Sequence, residues 1–289
     1  MPSFWLNGAI VSAENAKLSV YDHGLLYGDG VFEGIRFYHT NAFRLHEHLA
    51  RLYDSAAAIC LTIPYSMAAM VQAVEATIAD YAESDGYLRL VVTRGEGPLG
   101  LDPTLCRQAN VFIIADKLAM VAQSVLQKGA RLVIASTRRL PSDGLDPRIK
   151  TLNYLNHIMA RMEATQANAD EAVLLNLQGK VAEGTADNLF IVKNGRLFTP
   201  PVSDGALEGV TRALVMQLAD AMDSPCIEKT LAPFDLYTAD ECFLTGTAAE
   251  LIPVHSIDQR PMAHCPGPVY SRMRLAFVDR VQQETRGQQ

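Results

Sequence analysis

Between Pro147 and Met162 the chain runs Pro-Arg-Ile-Lys-Thr-Leu-Asn-Tyr-Leu-Asn-His-Ile-Met-Ala-Arg-Met. Within it Leu152, Leu155, Ile158, Met159 and Met162 recur at the three- and four-residue spacing of one helical face, which predicts a helix with that face buried. Asp146-Pro147 suits the opening of the helix, because proline fits the first turn and an acidic group favours its positive end. Lys150 then stands where irregular chain becomes helix, a junction that can hold an amine rigidly while leaving it open to a cleft. Taken singly, a lysine is most simply a solvated surface amine. Any further role rests on what accompanies it.

A chain of 289 residues exceeds one ordinary small core and points to two domains. Periodicity fades from Lys117 to Gln123, so the expected division is a small N-terminal domain over 1–118, a linker at 119–123 and a larger C-terminal domain over 124–289. With 49% hydrophobic and 20% charged residues and no apolar run long enough to span a bilayer, the composition is that of a soluble globular protein, expected in the cytoplasm. The first residues, Met-Pro-Ser-Phe-Trp-Leu-Asn-Gly, do not read as a signal peptide. A net charge of -7 with no local basic cluster argues against nucleic acid as a partner. The five cysteines are scattered and form no CxxC pair, so neither a disulfide framework nor a zinc site is expected.

In chain order, Asn7-Gly8 predicts a hairpin turn between Trp5 and Ser12. A glycine-rich aromatic stretch, Ser19 to Gly34, leads into a strand from Val31 to Tyr38. Arg44 to Leu61 reads as a helix, and Ser66 caps a second one reaching about Ala82. From Tyr87 to Thr93 a strand carries Leu88, Leu90 and Val92 on one face and Tyr87, Arg89, Val91 and Thr93 on the other, an unusual place for an arginine unless it points into a site. Gly95-Glu-Gly97-Pro-Leu-Gly100 matches a dinucleotide-binding spacing but runs into Leu101-Asp102-Pro103 instead of opening a helix, so it reads as a loop. Strands follow near 110–115, 131–136, 172–176 and 242–244, a hairpin turns at Asn194-Gly195, and helices are expected over 210–222 and 266–283.

Several residues have a use around a phosphorylated aromatic aldehyde. Lys150 can form an imine with it. Glu183, in Glu-Gly-Thr-Ala-Asp-Asn-Leu-Phe after a turn, can aim a carboxylate at a ring nitrogen. Gly209-Val210-Thr211 opens a helix, where free N–H groups and the helix dipole favour phosphate. Gly246-Thr247-Ala248 offers another small-residue turn to an anion, and Arg51 a permanently charged phosphate contact. His46 and His48, two apart on a helix, face different ways and do not share a metal.

The motifs Tyr27-Gly-Asp-Gly-Val-Phe-Glu-Gly-Ile-Arg36, His48-Leu-Ala-Arg51-Leu, Ile149-Lys150-Thr-Leu-Asn-Tyr154, Glu183-Gly-Thr-Ala-Asp-Asn-Leu-Phe190, Gly209-Val-Thr-Arg212 and Thr245-Gly-Thr-Ala-Ala-Glu250 fall in order over nearly the whole chain. On these the sequence resembles the fold-type IV pyridoxal-phosphate enzymes, most of all the branched-chain amino acid aminotransferases. The resemblance implies a mixed α+β and α/β fold, with a small α+β domain and a larger α/β pseudo-barrel domain, in at least a homodimer. It implies pyridoxal 5'-phosphate as cofactor, with Lys150 as the Schiff-base lysine, Glu183 at the pyridine nitrogen, Tyr154 at the phenolate, and Arg51, Val210, Thr211 and Thr247 at the phosphate. Substrate carboxylates would be met at the positions of Tyr27, Arg36, Tyr87, Arg89 and the Thr247-Ala248 backbone.

The implied reaction moves the amino group of leucine, isoleucine or valine to 2-oxoglutarate, with Lys150 as nucleophile, base and acid in turn. D-amino acid aminotransferases and aminodeoxychorismate lyases share much of this motif set. The former tend to carry an Arg-x-His element absent from Gly95 to Pro103, and the Tyr87/Arg89 pair weighs against the latter. Two departures from bacterial branched-chain enzymes bear on pocket shape: Asp116 to Gln123 has no aromatic residue, and Lys150 is followed by the short Thr-Leu-Asn-Tyr154.

Overall fold

A computed structural model of the protein describes residues 1–117 and 123–286. The chain packs as two units, one of Met1–Ala119, Ile149–Asn153 and Val281–Gln289, the other of Met120–Arg148 and Tyr154–Arg280. Of the expected linker at 119–123, only Gln123 is among the described residues, where it begins a helix.

In the first unit the strands are β1 (Ser3–Leu6), β2 (Ala9–Val11), β3 (Gly30–Tyr38), β4 (Asn41–Ala42), β5 (Gly86–Thr93) and β6 (Asn110–Asp116), and the helices α1 (His23–Tyr27), α2 (Leu45–Ala58) and α3 (Met67–Tyr81). The strands form an antiparallel sheet in the order β2-β1-β6-β5-β3-β4. Local chemistry sets several boundaries. Asn7 and Gly8 take the positive φ that the β1–β2 turn demands, and the Ser66 hydroxyl accepts the N–H of Ala69 to cap α3. One sheet face, with Val31, Ile35, Phe37, Leu88, Leu90, Val92 and Ile113, packs on Leu49 and Leu52 of α2 and on Met70, Val74 and Ile78 of α3. The alternation of β-strand side chains leaves the other face to Phe32, Gly34 and Arg36 of β3, in register with Val91, Arg89 and Tyr87 of β5.

The second unit holds β7 (Ala130–Arg138), β8 (Glu171–Leu175), β9 (Val181–Gly184), β10 (Asn188–Lys193), β11 (Arg196–Thr199), β12 (Ile227–Glu228), β13 (Glu241–Gly246), β14 (Glu250–Ile257) and β15 (Arg260–Pro261). They form one mixed sheet in the order β12-β11-β10-β13-β14-β7-β8-β9, with β15 paired to β14, and β9 comes back against β10 so that the sheet curls toward closure. Around it lie α4 (Gln123–Lys128), α5 (Leu155–Gln166), α6 (Val210–Ala221) and α7 (Pro233–Tyr237), and α8 (Pro268–Thr285) follows β15.

The helix expected to open at Asp146-Pro147 begins eight residues later, at Leu155, with Tyr154 as its cap. Residues 149–153 stay outside the helix and turn at Lys150, where Thr151 N–H donates to Ile149 O, because they dock on the first sheet: Phe32 N–H donates to Lys150 O, Leu152 N–H donates to Gly30 O, and Val31 bridges Thr151. The buried face of α5 also differs from expectation. Leu155, Ile158, Met159 and Met162 are 68, 52, 50 and 58% exposed, while His157, Ala160 and Ala164 are buried. Ala160 and Ala164 meet Ala135, Ala172 and Leu174, small residues that bring helix and sheet close. Both faces of α5 have helical spacing, and the larger side chains mark the outward one.

Candidate active site

The first unit places Lys150 through backbone pairing. The Phe32 and Leu152 hydrogen bonds fix residues 150–152 along the edge of β3, and the Lys150 N–H donates to the Ser55 hydroxyl of α2 at 3.2 Å. The lysine side chain then lies over the Phe32 ring, with Nζ 4.7 Å from its centroid. Arg89 approaches the same ring, its guanidinium carbon 4.5 Å from the centroid and 5.6 Å from that of Tyr87. An amine and a permanent cation therefore share one aromatic surface. Gly34 makes room for this arrangement: a Cβ there would lie 1.9 Å from the Tyr87 hydroxyl. Arg36 is in register with Tyr87 and lies 4.8 Å over the Tyr38 ring. Tyr27 stands at the end of α1 with its ring edge-on to that of His23, and its hydroxyl accepts the Gly100 N–H at 3.0 Å.

Arg51 sits on the helix side of the sheet in a cluster with Glu33 and His48 that the sequence reading missed. Its Nε and Nη2 donate to the two oxygens of Glu33 at 2.7 and 2.8 Å, and His48 Nδ1 lies 2.8 Å from the same carboxylate. Burial raises the Glu33 carboxyl, but the Arg51 charge and the His48 and Arg51 hydrogen bonds override it and hold the group down at about 2. The signal was present in the pattern. Glu33 falls in the row of β3 that otherwise reads Val31, Ile35 and Phe37, and His48 and Arg51 are three apart on one face of α2.

In the second unit, Glu183 lies on β9, opposite Leu174. Its Oε1 accepts from Arg139 Nε at 2.9 Å and lies 3.6 Å from His157 Nε2, and its Oε2 accepts the Leu207 N–H at 2.8 Å. Burial alone raises this carboxyl; the His157 contact and the Arg139 charge outweigh it and keep it below the ordinary carboxylate range. Tyr154 stacks on His157, ring centroids 4.4 Å apart at 19°. Neither Arg139 nor His157 has a sequence pattern of its own; the fold recruits them.

The turn at 185–188 gathers the remaining groups of this unit. Asn188 Nδ2 donates to Leu207 O, and its Oδ1 occupies the space a Cβ on Gly209 would need, at 2.0 Å. Gly209 caps α6 with no side-chain acceptor, so the helix opens with Val210 and Thr211 N–H groups that no cap covers, and Thr211 is buried. Asp187 reaches the Gly246 turn, with Oδ1 2.3 Å from where a Cβ would stand, and Thr247 and Ala248 follow in that turn between β13 and β14.

These groups fit pyridoxal phosphate by donor chemistry. A buried carboxylate held as an anion suits a protonated pyridine nitrogen. An uncapped helix N-terminus beside a buried threonine suits a phosphate, and a tethered lysine amine suits the aldehyde. The turn at Gly246 is narrow enough to bring backbone rather than side chain to a ligand.

A family model described as "Amino-transferase class IV" matches residues 30–257. The chain is 50% identical over 276 residues to a Methanocaldococcus jannaschii protein provisionally named branched-chain-amino-acid aminotransferase, covering 95% of both chains. It is 35% identical over 281 residues to the branched-chain-amino-acid aminotransferase of Escherichia coli K12, covering 94% of this chain and 91% of that one. Among solved structures, a T.th. branched-chain amino acid aminotransferase with pyridoxamine 5'-phosphate superposes with a TM-score of 0.93 at 37% identity, over 98% of this chain and 94% of that one. Matching along almost its full length, the chain belongs to the class IV aminotransferases, enzymes that work through pyridoxal phosphate.

Proposed function

We propose that the protein transfers the amino group of leucine, isoleucine and valine to 2-oxoglutarate. The observation that carries this reading is the Phe32 ring, approached by both the Lys150 amine and the Arg89 guanidinium. An amine near a fixed cation on an apolar surface suits alternating substrates, one with an aliphatic side chain and one with a second carboxylate. The relatives named for branched-chain amino acids support the same substrate class.

When bound, the cofactor supplies an electron sink for charge developing at the substrate's α-carbon. The chain's residues do the rest. Lys150 would hold the cofactor at its aldehyde and would carry the α-proton. Glu183 holds a proton at the ring nitrogen, and the Tyr154 hydroxyl donates to the phenolic oxygen. Val210, Thr211 and Thr247 bind phosphate together with Arg51, whose orientation Glu33 sets. Arg89, Tyr87, Arg36, Tyr27 and the Thr247-Ala248 turn meet substrate carboxylates.

We assign a homodimer in the cytoplasm. The outward stripe of Leu155, Ile158, Met159 and Met162, four large apolar side chains exposed along one face of α5, supports self-association. Among the described residues no helix is long and apolar enough to cross a membrane.

The test is an absorbance spectrum of the purified holoprotein with L-leucine, D-alanine or aminodeoxychorismate. A band near ~410 nm should give way to one near ~330 nm with L-leucine, as the bound cofactor gains the amino group. Conversion with D-alanine alone, or pyruvate release from aminodeoxychorismate, overturns the substrate assignment.

A further inference from the structure

The buried face of α5 is built from His157, Ala160 and Ala164, residues spaced to stack along one side of the helix. The alanines explain themselves by close packing on β7 and β8. The histidine does not. Burying an imidazole is unfavourable unless its nitrogens find partners, and His157 is 7% exposed with Nδ1 lacking any partner among the described residues. Its position is nonetheless defined on two sides. Nε2 lies 3.6 Å from Glu183 Oε1, and the ring centroid lies 4.4 Å from that of Tyr154.

Each neighbour has a cofactor role in the proposed function, on which this inference rests. Glu183 is assigned to the pyridine nitrogen and Tyr154 to the phenolic oxygen, two ionisable atoms of one conjugated ring. We propose that His157 is a positioning residue for the cofactor ring: by contacting Glu183 through Nε2 and stacking on Tyr154, it joins the two side chains that set the cofactor's electron demand.

The charged groups around it leave the Glu183 contact as the one that carries the effect. Arg139 lies behind Glu183, donating to Oε1. Elsewhere on α5, Arg161 pairs with Glu171 at 3.3 Å, and Glu163 accepts from Ser136 and Thr137. Replacing the imidazole that lies against Glu183 Oε1 by a group without a nitrogen leaves the carboxylate a stronger acceptor for the protonated ring nitrogen. Positive charge on the cofactor is then favoured, and the chromophore should deprotonate at higher pH.

The experiment is a spectrophotometric pH titration of holoprotein carrying His157→Phe or His157→Gln, together with the dissociation constant of pyridoxal phosphate from the apoprotein. Phenylalanine keeps a flat ring against Tyr154 but no nitrogen. Glutamine keeps an N–H that can reach Glu183. The expected result is a titration midpoint raised by about half a unit or more in His157→Phe, a several-fold change in cofactor affinity, and return of both toward wild type in His157→Gln. Should His157→Phe not fold, His157→Asn replaces it, since its amide is too short to reach Glu183; the same raised midpoint is expected.

Wild-type midpoints and affinities in every folded variant, with only the melting temperature altered, overturn the proposal and leave His157 a packing residue. Glu183→Gln separates this outcome from failure of the wider assignment. If Glu183→Gln changes the spectrum while the His157 variants do not, only the role of His157 is lost. If Glu183→Gln also leaves the spectrum and affinity unchanged, the assignment of Glu183 to the ring nitrogen falls with it.

Discussion

The Phe32 N–H donates to the Lys150 carbonyl at 3.0 Å, and the Phe32 ring lies beneath the Lys150 amine at 4.7 Å from its centroid. One residue of β3 thus fixes both the backbone and the side-chain direction of a lysine 118 positions further along the chain. The docking is made by the main chain, through Lys150 O and the Leu152 N–H.

Lys150→Ala tests the side chain apart from that docking. The substitution should lower transamination by at least about a thousandfold, the scale of losing a nucleophile that also serves as proton carrier. Unfolding stability of the apoprotein should stay within about 0.5 kcal/mol of wild type, because the β3 pairing survives. Thermal melts and initial rates check the two halves. Full activity in a folded variant removes Lys150 from the reaction.

Arg89→Ala should discriminate between substrates. A charge-assisted hydrogen bond to a carboxylate contributes about 1.5–3 kcal/mol, so kcat/KM for 2-oxoglutarate should fall about ten- to a hundredfold. The fall for leucine should be clearly smaller if the α-carboxylate is held elsewhere, as by the Thr247-Ala248 turn. Equal losses for both substrates would show that Arg89 does not read the second carboxylate.

Gly34→Ala should disturb the same surface without touching a charged group. The added methyl would stand 1.9 Å from the Tyr87 hydroxyl, forcing that ring aside. Since Arg89 lies against both Tyr87 and Phe32, KM for both substrates is expected to rise several-fold while the absorbance of the bound cofactor stays put. Unchanged KM values would mean that Tyr87 takes no part in substrate binding.

Acid stability should report on Glu33. Its carboxyl is held at about 2 against 4.5 for the free group, so its pairing with Arg51 and His48 stabilises the fold fully above about 4.5 and loses that contribution as pH falls toward 2. For a fully buried group the shift corresponds to about 3 kcal/mol. Glu33→Gln should therefore be the less stable protein near neutral pH, and the gap from wild type should narrow by about that amount as the pH is taken down through this window. Denaturant midpoints measured across the range give the comparison. A constant gap would mean that the Glu33 charge contributes nothing specific to the fold.

Elements whose limits are decided by neighbouring residues were legible in the sequence: the Asn7-Gly8 turn, the Ser66 cap of α3, the alternating strand from Tyr87 to Thr93, and the helix opening at Gly209. Motif order also pointed to the family, and to Lys150, Glu183 and Arg51 as the groups to look for. Turn geometry, capping and strand alternation depend on contacts within a few residues, and the chain carries that information locally.

Tertiary structure alone decided how those groups are held. Residues 149–153 lead straight into α5, yet they are not helical, because the open edge of β3 offers hydrogen bonds that a helix start at Pro147 would forgo. The face of α5 marked by Leu155, Ile158, Met159 and Met162 turns outward because Ala160 and Ala164 let the helix lie closer to the sheet, a preference that hydrophobic spacing cannot register. Glu33 with Arg51, and Glu183 with Arg139 and His157, pair across 18 to 44 positions of chain. A carboxylate's partner is set by which strands and helices pack together, and no local pattern contains that.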